Sequence, residues 1–432
     1  MSIFLNPFHS IISSNNINID VKFFSLLFCT LPVSLITGPA IPDITISLLA
    51  LYFLIKIIFL KEWKYFKNKF FLIFMIFCFY GVIRSIFSEL PKESISTEGS
   101  IFYFRYIFFA IAIWYLLDHN QYLSKAFLLI SIICLIVVCT DGIYQYFYEV
   151  NLFGNPKYGK LRLTGLFQDE PIIGRYVSYI AIFIFYLFID NFYKKKSLSY
   201  FFMLLLSVGE IVVFLSGERA PLFYLTSFFF ITMMFYPNYK FVRVIFFTLS
   251  ISIILVIINF NPNAKERIVD LTIEQVQETK LTYLPYSEGH ERIYISSLKM
   301  YKENPIIGIG PNLFRHKCHK EKFQYKTDSC TSHPHNFYIQ ILSELGIIGL
   351  LFIISFYGFL IYGFFHYLIR IHSKKHILEI HFEHKIFILI VLLLIFLFPL
   401  VPTMSFYNNW NNIFIFLPIG FLLKNLYGDK YY

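Results

Sequence analysis

Charge is scarce in this chain. Only 15% of its 432 residues are Asp, Glu, Lys or Arg, whereas 57% are hydrophobic and 21% aromatic, a balance outside the range of soluble globular domains. The sequence also lacks internal repeats, a separate soluble domain, and the period-two alternation that membrane β-barrel strands require. What it has instead is a succession of apolar runs, at roughly 22–38, 44–60, 70–88, 100–117, 126–147, 172–190, 199–215, 220–237, 241–260, 346–370, 386–402 and 411–427. At about 20 residues per crossing, these runs predict an all-α polytopic membrane protein of about 12 transmembrane helices.

Gly38-Pro39-Ala40 follows the first run as a cleavage site would. The long, mostly uncharged stretch before that run does not fit a secretory signal, and the run is read as a retained helix. Basic residues separate the loops into two sets. Sixteen fall on one set (Lys61, Lys64, Lys67, Lys69, Lys125, Lys194, Lys195, Lys196, Lys240, Arg243, Arg370, Lys374, Lys375, Lys385, Lys424 and Lys430). Five fall on the short loops of the other: Lys92, Lys157, Lys160, Arg162 and Arg219. By the positive-inside rule this places both termini in the cytoplasm. The net charge of +10 is then in part topological, and no nucleic acid is expected as a partner.

The expected organisation is one integral membrane domain. Residues 1–260 hold helices 1–9 with a second outer loop at 148–171, residues 261–334 form a large, partly helical periplasmic loop between spans 9 and 10, and residues 335–432 hold helices 10–12. The large loop carries eleven basic and nine acidic residues, which suits a folded cap better than a disordered tail. Helical pieces are expected near Ala264–Lys280 and Arg292–Glu303, before Pro and Gly break the pattern in Asn304-Pro305-Ile306-Ile307-Gly308-Ile309-Gly310-Pro311-Asn312.

Six cysteines are present. Cys29, Cys78, Cys134 and Cys139 lie in apolar runs and read as core fillers. Cys318 and Cys330 lie in the outer loop, where a disulfide between them fits an oxidising compartment. With His316, His319, His333 and His335 nearby, a zinc site is the other reading, but the spacing matches no standard pair of ligand couples.

Chemistry is suggested at one membrane face. Arg84, Arg105, Arg175 and Arg219 sit near outer span ends, against the positive-inside trend. Such residues either snorkel to headgroups or line a functional cavity that takes an anion. Leu215-Ser216-Gly217-Glu218-Arg219-Ala220-Pro221 packs two charges into a very short turn, where Glu218 and Arg219 either neutralise one another or leave Arg219 for a ligand. Gly289-His290-Glu291-Arg292 adds a guanidinium at a predicted helix start. Guanidinium pairs with phosphate oxygens through a planar fork and stays charged. The outer loops contain no Asp-x-Asp pair to hold Mg²⁺ for a nucleotide sugar. Ser332-His333-Pro334-His335-Asn336 runs straight into apolar sequence. His335 titrates in the range a general base needs, or is a histidine hydrogen-bonded at a helix mouth. Asn336 and Glu344 lie near two helical turns apart and can share a face; Glu344 is alternatively an orienting or dipole-favouring residue. Arg162-Leu163-Thr164-Gly165 leads to Asp169 and Glu170, which read as helix caps or acceptor-binding groups.

Taken in order, Arg162 to Gly165, Asp169 to Gly174, Ser216 to Arg219, Arg292 to Gly310 and His335-Asn336 with Glu344 to Gly349 resemble the O-antigen ligase and polymerase family of bacterial envelope glycosyltransferases, with the match centred on residues 150–350. The resemblance implies transfer of a glycan from undecaprenyl diphosphate at the periplasmic face of the inner membrane. The ligase acceptor is a lipid A-core sugar; the polymerase acceptor is another lipid-linked repeat unit. It assigns diphosphate recognition to Arg219 and Arg292 and an essential role to His335. Arg84, Arg105, Arg162, Asp169, Arg175, Asn336 and Glu344 are the expected substrate-binding residues. Partners are the lipid-linked donor, the acceptor and membrane lipids; no cofactor or metal is expected. Ligase is preferred to polymerase on the single large outer loop, with a protein O-oligosaccharyltransferase third. A transporter or lipid flippase is the reading from another class, and it predicts charges near the bilayer midplane and paired broken helices.

Overall fold

The computed structural model describes residues 2–96, 99–159, 161–278, 287–371 and 377–428. Lys160, Lys280, Lys374, Lys375 and Lys430, counted above among the loop charges, lie outside the described residues.

Every apolar run is helical, because a backbone among hydrocarbon side chains must satisfy its own hydrogen bonds. The main helices are α1 (Ile19–Cys29), α2 (Ala40–Leu60), α3 (Lys69–Ile86), α4 (Arg105–His119), α5 (Leu123–Tyr148), α6 (Ile173–Phe192), α7 (Lys196–Leu215), α8 (Arg219–Phe235), α9 (Lys240–Phe260), α10 (Glu288–Glu303), α11 (Phe337–Ile371), α12 (Ile377–Phe396) and α13 (Asn409–Tyr427). Among the described residues β-pairing is confined to two isolated bridges, Val150 with Pro156 and Tyr158 with Arg162. Among the described residues seven helices, namely α2, α3, α5, α6, α7, α9 and α11, are long and apolar enough to cross a membrane, and α8 is a shorter apolar helix.

That count is narrower than the twelve crossings expected, for local reasons. The first run divides after Cys29, and Pro32, which has no N–H to donate, opens a separate short helix, Leu31–Ser34. The fourth run yields only Arg105–His119. The tenth begins nine residues early, at Phe337, and kinks at Gly346, where φ is 66° and ψ −165°. In the large loop, helix runs from Pro262 to Glu278 through a π-helical turn at Glu266–Asp270, and α10 starts four residues before the expected Arg292.

The central helix is α6, which packs against α5, α7, α8 and α12 and is buried on nearly every side. α4 lies between α2 and α13, and α12 bridges α13 and α11. Two buried charged groups inside the bundle are held by several partners each. The Glu210 carboxylate of α7 accepts from Thr226 of α8 and Ser250 of α9, and buried Arg243 donates to the carbonyls of Thr232, Tyr236 and Asn238.

The cap has a small core of its own, built from Ile293, Met300, Ile309, Leu313, Phe314, Cys318 and Phe323. Cys318 and Cys330 are joined by a disulfide. The cap is riveted to α11 by main-chain bonds: Ile309 and Gly310 N–H donate to the carbonyls of Ser343 and Glu344 at 3.0 and 2.8 Å, and Ile347 N–H donates to Pro305 at 2.9 Å. Only glycine allows this approach. A Cβ on Gly308 would lie 2.3 Å from the Glu344 carbonyl carbon, and one on Gly346 would lie 2.3 Å from the Ile306 oxygen, with both residues at positive φ.

Candidate functional site

The amino ends of α6, α8 and α11 meet beneath the cap, and each brings one group to the same place: Arg175, Arg219 and His335. Helix amino ends carry unpaired N–H groups and partial positive charge, so this end of the bundle favours anions before any side chain is counted.

His335 sits just ahead of α11 in a left-handed conformation, φ 56°, uncommon for a non-glycine residue and frequent at functional sites. Its carbonyl accepts from Thr403 N–H at 2.8 Å, and Thr403 Oγ1 accepts from Phe337 N–H at 3.1 Å, which fixes the turn. The His333 ring lies 4.1 Å from the His335 ring, centroid to centroid, and the His290 ring, from the first turn of α10, lies 5.7 Å away at 86°. Burial and the nearby Arg175 charge hold His335 below its usual range. Burial, with His335 and Arg219, brings His290 to about 4; burial, with His335 and Arg315, brings His333 to about 3. At neutral pH all three imidazoles are therefore uncharged.

The guanidinium of Arg175 makes no hydrogen bond or ion pair among the described residues. Glu218, which feels its charge, is otherwise engaged: its carboxylate accepts from Gly174 N–H at 2.6 Å and from the Arg175 amide. It thereby caps α6, the role expected of Asp169 and Glu170, which are exposed instead. Burial pushes Glu218 up to about 7. A Cβ on Gly174 would stand 2.5 Å from Ser216 Oγ, so glycine is what lets the 216–218 turn reach the α6 amino end. Arg219 donates to Gln275 Oε1 and to the Arg267 carbonyl, the latter at 3.1 Å, and Glu218 and Arg219 do not form the internal pair. Arg162 donates to the Pro171 carbonyl at 3.0 Å, and its charge is felt at both Glu218 and Arg267.

Other expected site residues have structural partners. Arg84 donates through Nε and Nη2 to Gly308 O at 3.0 and 2.7 Å, and through Nη1 to Phe87 O at 2.8 Å. Arg105 pairs with Asp43 at 2.7 Å and with Asn409. Asn336 caps α11, accepting from Tyr338 and Ile339 N–H. Glu344, 1% exposed, accepts from Asn312 and Phe314 N–H, both at 3.0 Å. Arg292 is occupied by Glu288 at 2.7 Å, one helical turn earlier, and by the Thr327 carbonyl. Two residues separate it from His290, about 200° around the helix, so the two point to different flanks of α10.

His290 and Arg315 are the members of the cationic cluster that the sequence did not single out. They lie 45 and 20 residues from His335, too far for any local pattern to join them.

The O-antigen ligase family model matches residues 201–354. No curated protein matches the chain. The matched segment includes Arg219, His290, Arg292, His333, His335 and Glu344, but ends short of Arg175. Together with its apolar helices, this match supports a multi-pass membrane protein whose segment 201–354 is similar to the O-antigen ligase family.

Proposed function

We propose that the protein is an O-antigen ligase-type glycosyltransferase that moves a glycan from undecaprenyl diphosphate to a lipid A-core sugar hydroxyl at the periplasmic face of the inner membrane. In this reading the chain crosses the membrane twelve times with both termini cytoplasmic. The supporting observation is the convergence of Arg175, Arg219 and uncharged His335 under the cap. An arginine with no hydrogen-bonded carboxylate stands beside an imidazole ready to accept a proton.

Arg219 and Arg175 hold the diphosphate and stabilise the charge that grows on it as the bond to the anomeric carbon breaks, an effect enlarged by exclusion of water. His335 takes the proton from the acceptor hydroxyl as the new glycosidic bond forms from the opposite face, with inversion. The leaving group is undecaprenyl diphosphate, and His335 returns its proton to solvent. Arg292 joins by leaving Glu288 and swinging from the other flank of α10 to a phosphate oxygen. Arg84 and Arg105 act one step back, holding the cap and the α4 amino end. An apolar groove of about 340 Å³, lined by Phe223, Ser227 and Ile231 of α8, Tyr357 and Phe364 of α11 and Leu394 of α12, opens one turn below Arg219 and suits a polyprenyl chain.

The test is reconstitution with a lipid-linked glycan and either lipid A-core or a second lipid-linked unit. Conjugation to lipid A-core supports the ligase; elongation on the lipid carrier identifies a polymerase; transfer to neither rejects both.

A further inference from the structure

His290 and His333 have no part in the chemistry above, yet they flank His335 and are built alike. His290 Nδ1 lies 2.7 Å from Ser287 Oγ, and His333 Nδ1 lies 2.9 Å from Ser332 Oγ. Ser287 Oγ also accepts from the His290 main-chain N–H, at 3.4 Å. The hydroxyl thus engages Nδ1, and Nε2 is the ring nitrogen left for a ligand. In His333 the hydroxyl of Ser332 likewise engages Nδ1. Its Nε2 is buried without a hydrogen-bond partner, a costly state for a polar atom unless a ligand completes it.

The Tyr294 ring lies 6.1 Å from that of His290; the other titratable groups facing the two rings are cationic or become so on protonation. His290 faces His335 and Arg219; His333 faces His335, Arg315 and Arg175. Glu218, the carboxylate beside Arg175, is held by the amides of Gly174 and Arg175. Burial first, and then repulsion among these groups, keeps the rings neutral while no anion is bound. An entering diphosphate reverses the sign of the local field and favours protonation of His290 and His333, whose charge in turn helps to keep His335 between them neutral.

We propose that His290 and His333 form a second, switchable half of the diphosphate site: each donates Nε2–H to phosphate oxygen and takes up a proton as the anion enters. The cationic charge of the site is then completed only on occupancy. This inference rests on the diphosphate-binding reading above.

The test uses the full chain in lipid nanodiscs with farnesyl diphosphate as the probe. Its affinity is measured from pH 5.5 to 7.5, and proton uptake is measured by titration calorimetry in two buffers of different ionisation enthalpy. The wild type should take up protons on binding and bind tighter as pH falls, by up to about tenfold per pH unit for each proton coupled. The double variant His290→Gln with His333→Gln keeps neutral donors but cannot protonate. It should still bind, within about tenfold of wild type at pH 7.5, and lose most of the uptake and the pH slope. The probe's own titration is common to both proteins and cancels in the difference. Unchanged uptake in the double variant overturns the inference while leaving the diphosphate site standing; failure of the wild type to bind the probe at any pH overturns both.

Discussion

The two ends of the helical bundle treat charge in opposite ways. At the end away from the cap, Asp118 accepts from Lys424 and Tyr65 and lies 3.9 Å from Lys64, while Asp190 pairs with Lys385 at 3.1 Å and accepts from Ser124. Lys424 and Lys385 there meet carboxylates, although Arg243 is held by carbonyls. Under the cap, Arg175 has no such partner, Arg219 is bonded only to neutral oxygens, and three imidazoles stand uncharged beside them. Partly buried charges are normally paired because isolation is costly, so the paired end reads as construction and the unpaired end as a place kept for a ligand.

The comparison breaks most visibly at Arg219. Arg219→Ala should lower transfer by about 10²–10³-fold, and Arg219→Lys should recover little of it, since a point charge does not replace a bidentate fork. Rates measured with lipid-linked donor in proteoliposomes check this; full activity in the Lys variant would remove the bidentate role.

Arg175→Gln should act on pH as well as on rate. His335 is needed unprotonated, so the acid limb of kcat follows its pKa in the complex; removing the Arg175 cation raises that pKa and moves the limb to higher pH. A pH–rate profile whose acid limb stays in place contradicts the proximity argument.

At the other end, Asp118→Asn should leave transfer per folded enzyme within about twofold while lowering stability by about 2–3 kcal/mol, less than full burial would give because the Lys424 side chain keeps 26% exposure. Thermal midpoints in detergent, set beside specific activity, separate the two effects. A large loss of transfer without loss of stability would erase the contrast between the ends.

The smallest effect is expected at Glu288→Gln. Freeing Arg292 from its ion pair should tighten binding of a polyprenyl diphosphate by about two- to threefold, the scale of an exposed pair. Weaker binding would mean that Glu288 itself serves the site.

What the sequence makes legible follows the range of the interaction involved. Apolar runs report helices because burial of a continuous stretch is a local property. The cap's two helical pieces and the nearness of the Cys318 and Cys330 thiols are legible for the same reason. Asn336 as a helix cap and the Glu288–Arg292 pair are also local, one an N-cap residue before an apolar run and the other an i, i+4 spacing. The meeting of His290 with His335 was not legible, nor was the replacement of Asp169 by Glu218 as the cap of α6, nor the interlock of Gly308 with Gly346. Each depends on how distant elements pack.

The order of synthesis gives Arg84 a further significance. Its guanidinium is held by carbonyls of Ile307 and Gly308, 223 and 224 residues later in the chain. While the ribosome is still making α4 to α10, those acceptors do not exist, and an arginine at the mouth of α3 must be hydrated or held by lipid phosphates. Assembly of this end of the molecule therefore waits for nearly three quarters of the chain, and a truncated or stalled product keeps a cation exposed where the finished protein has none to spare.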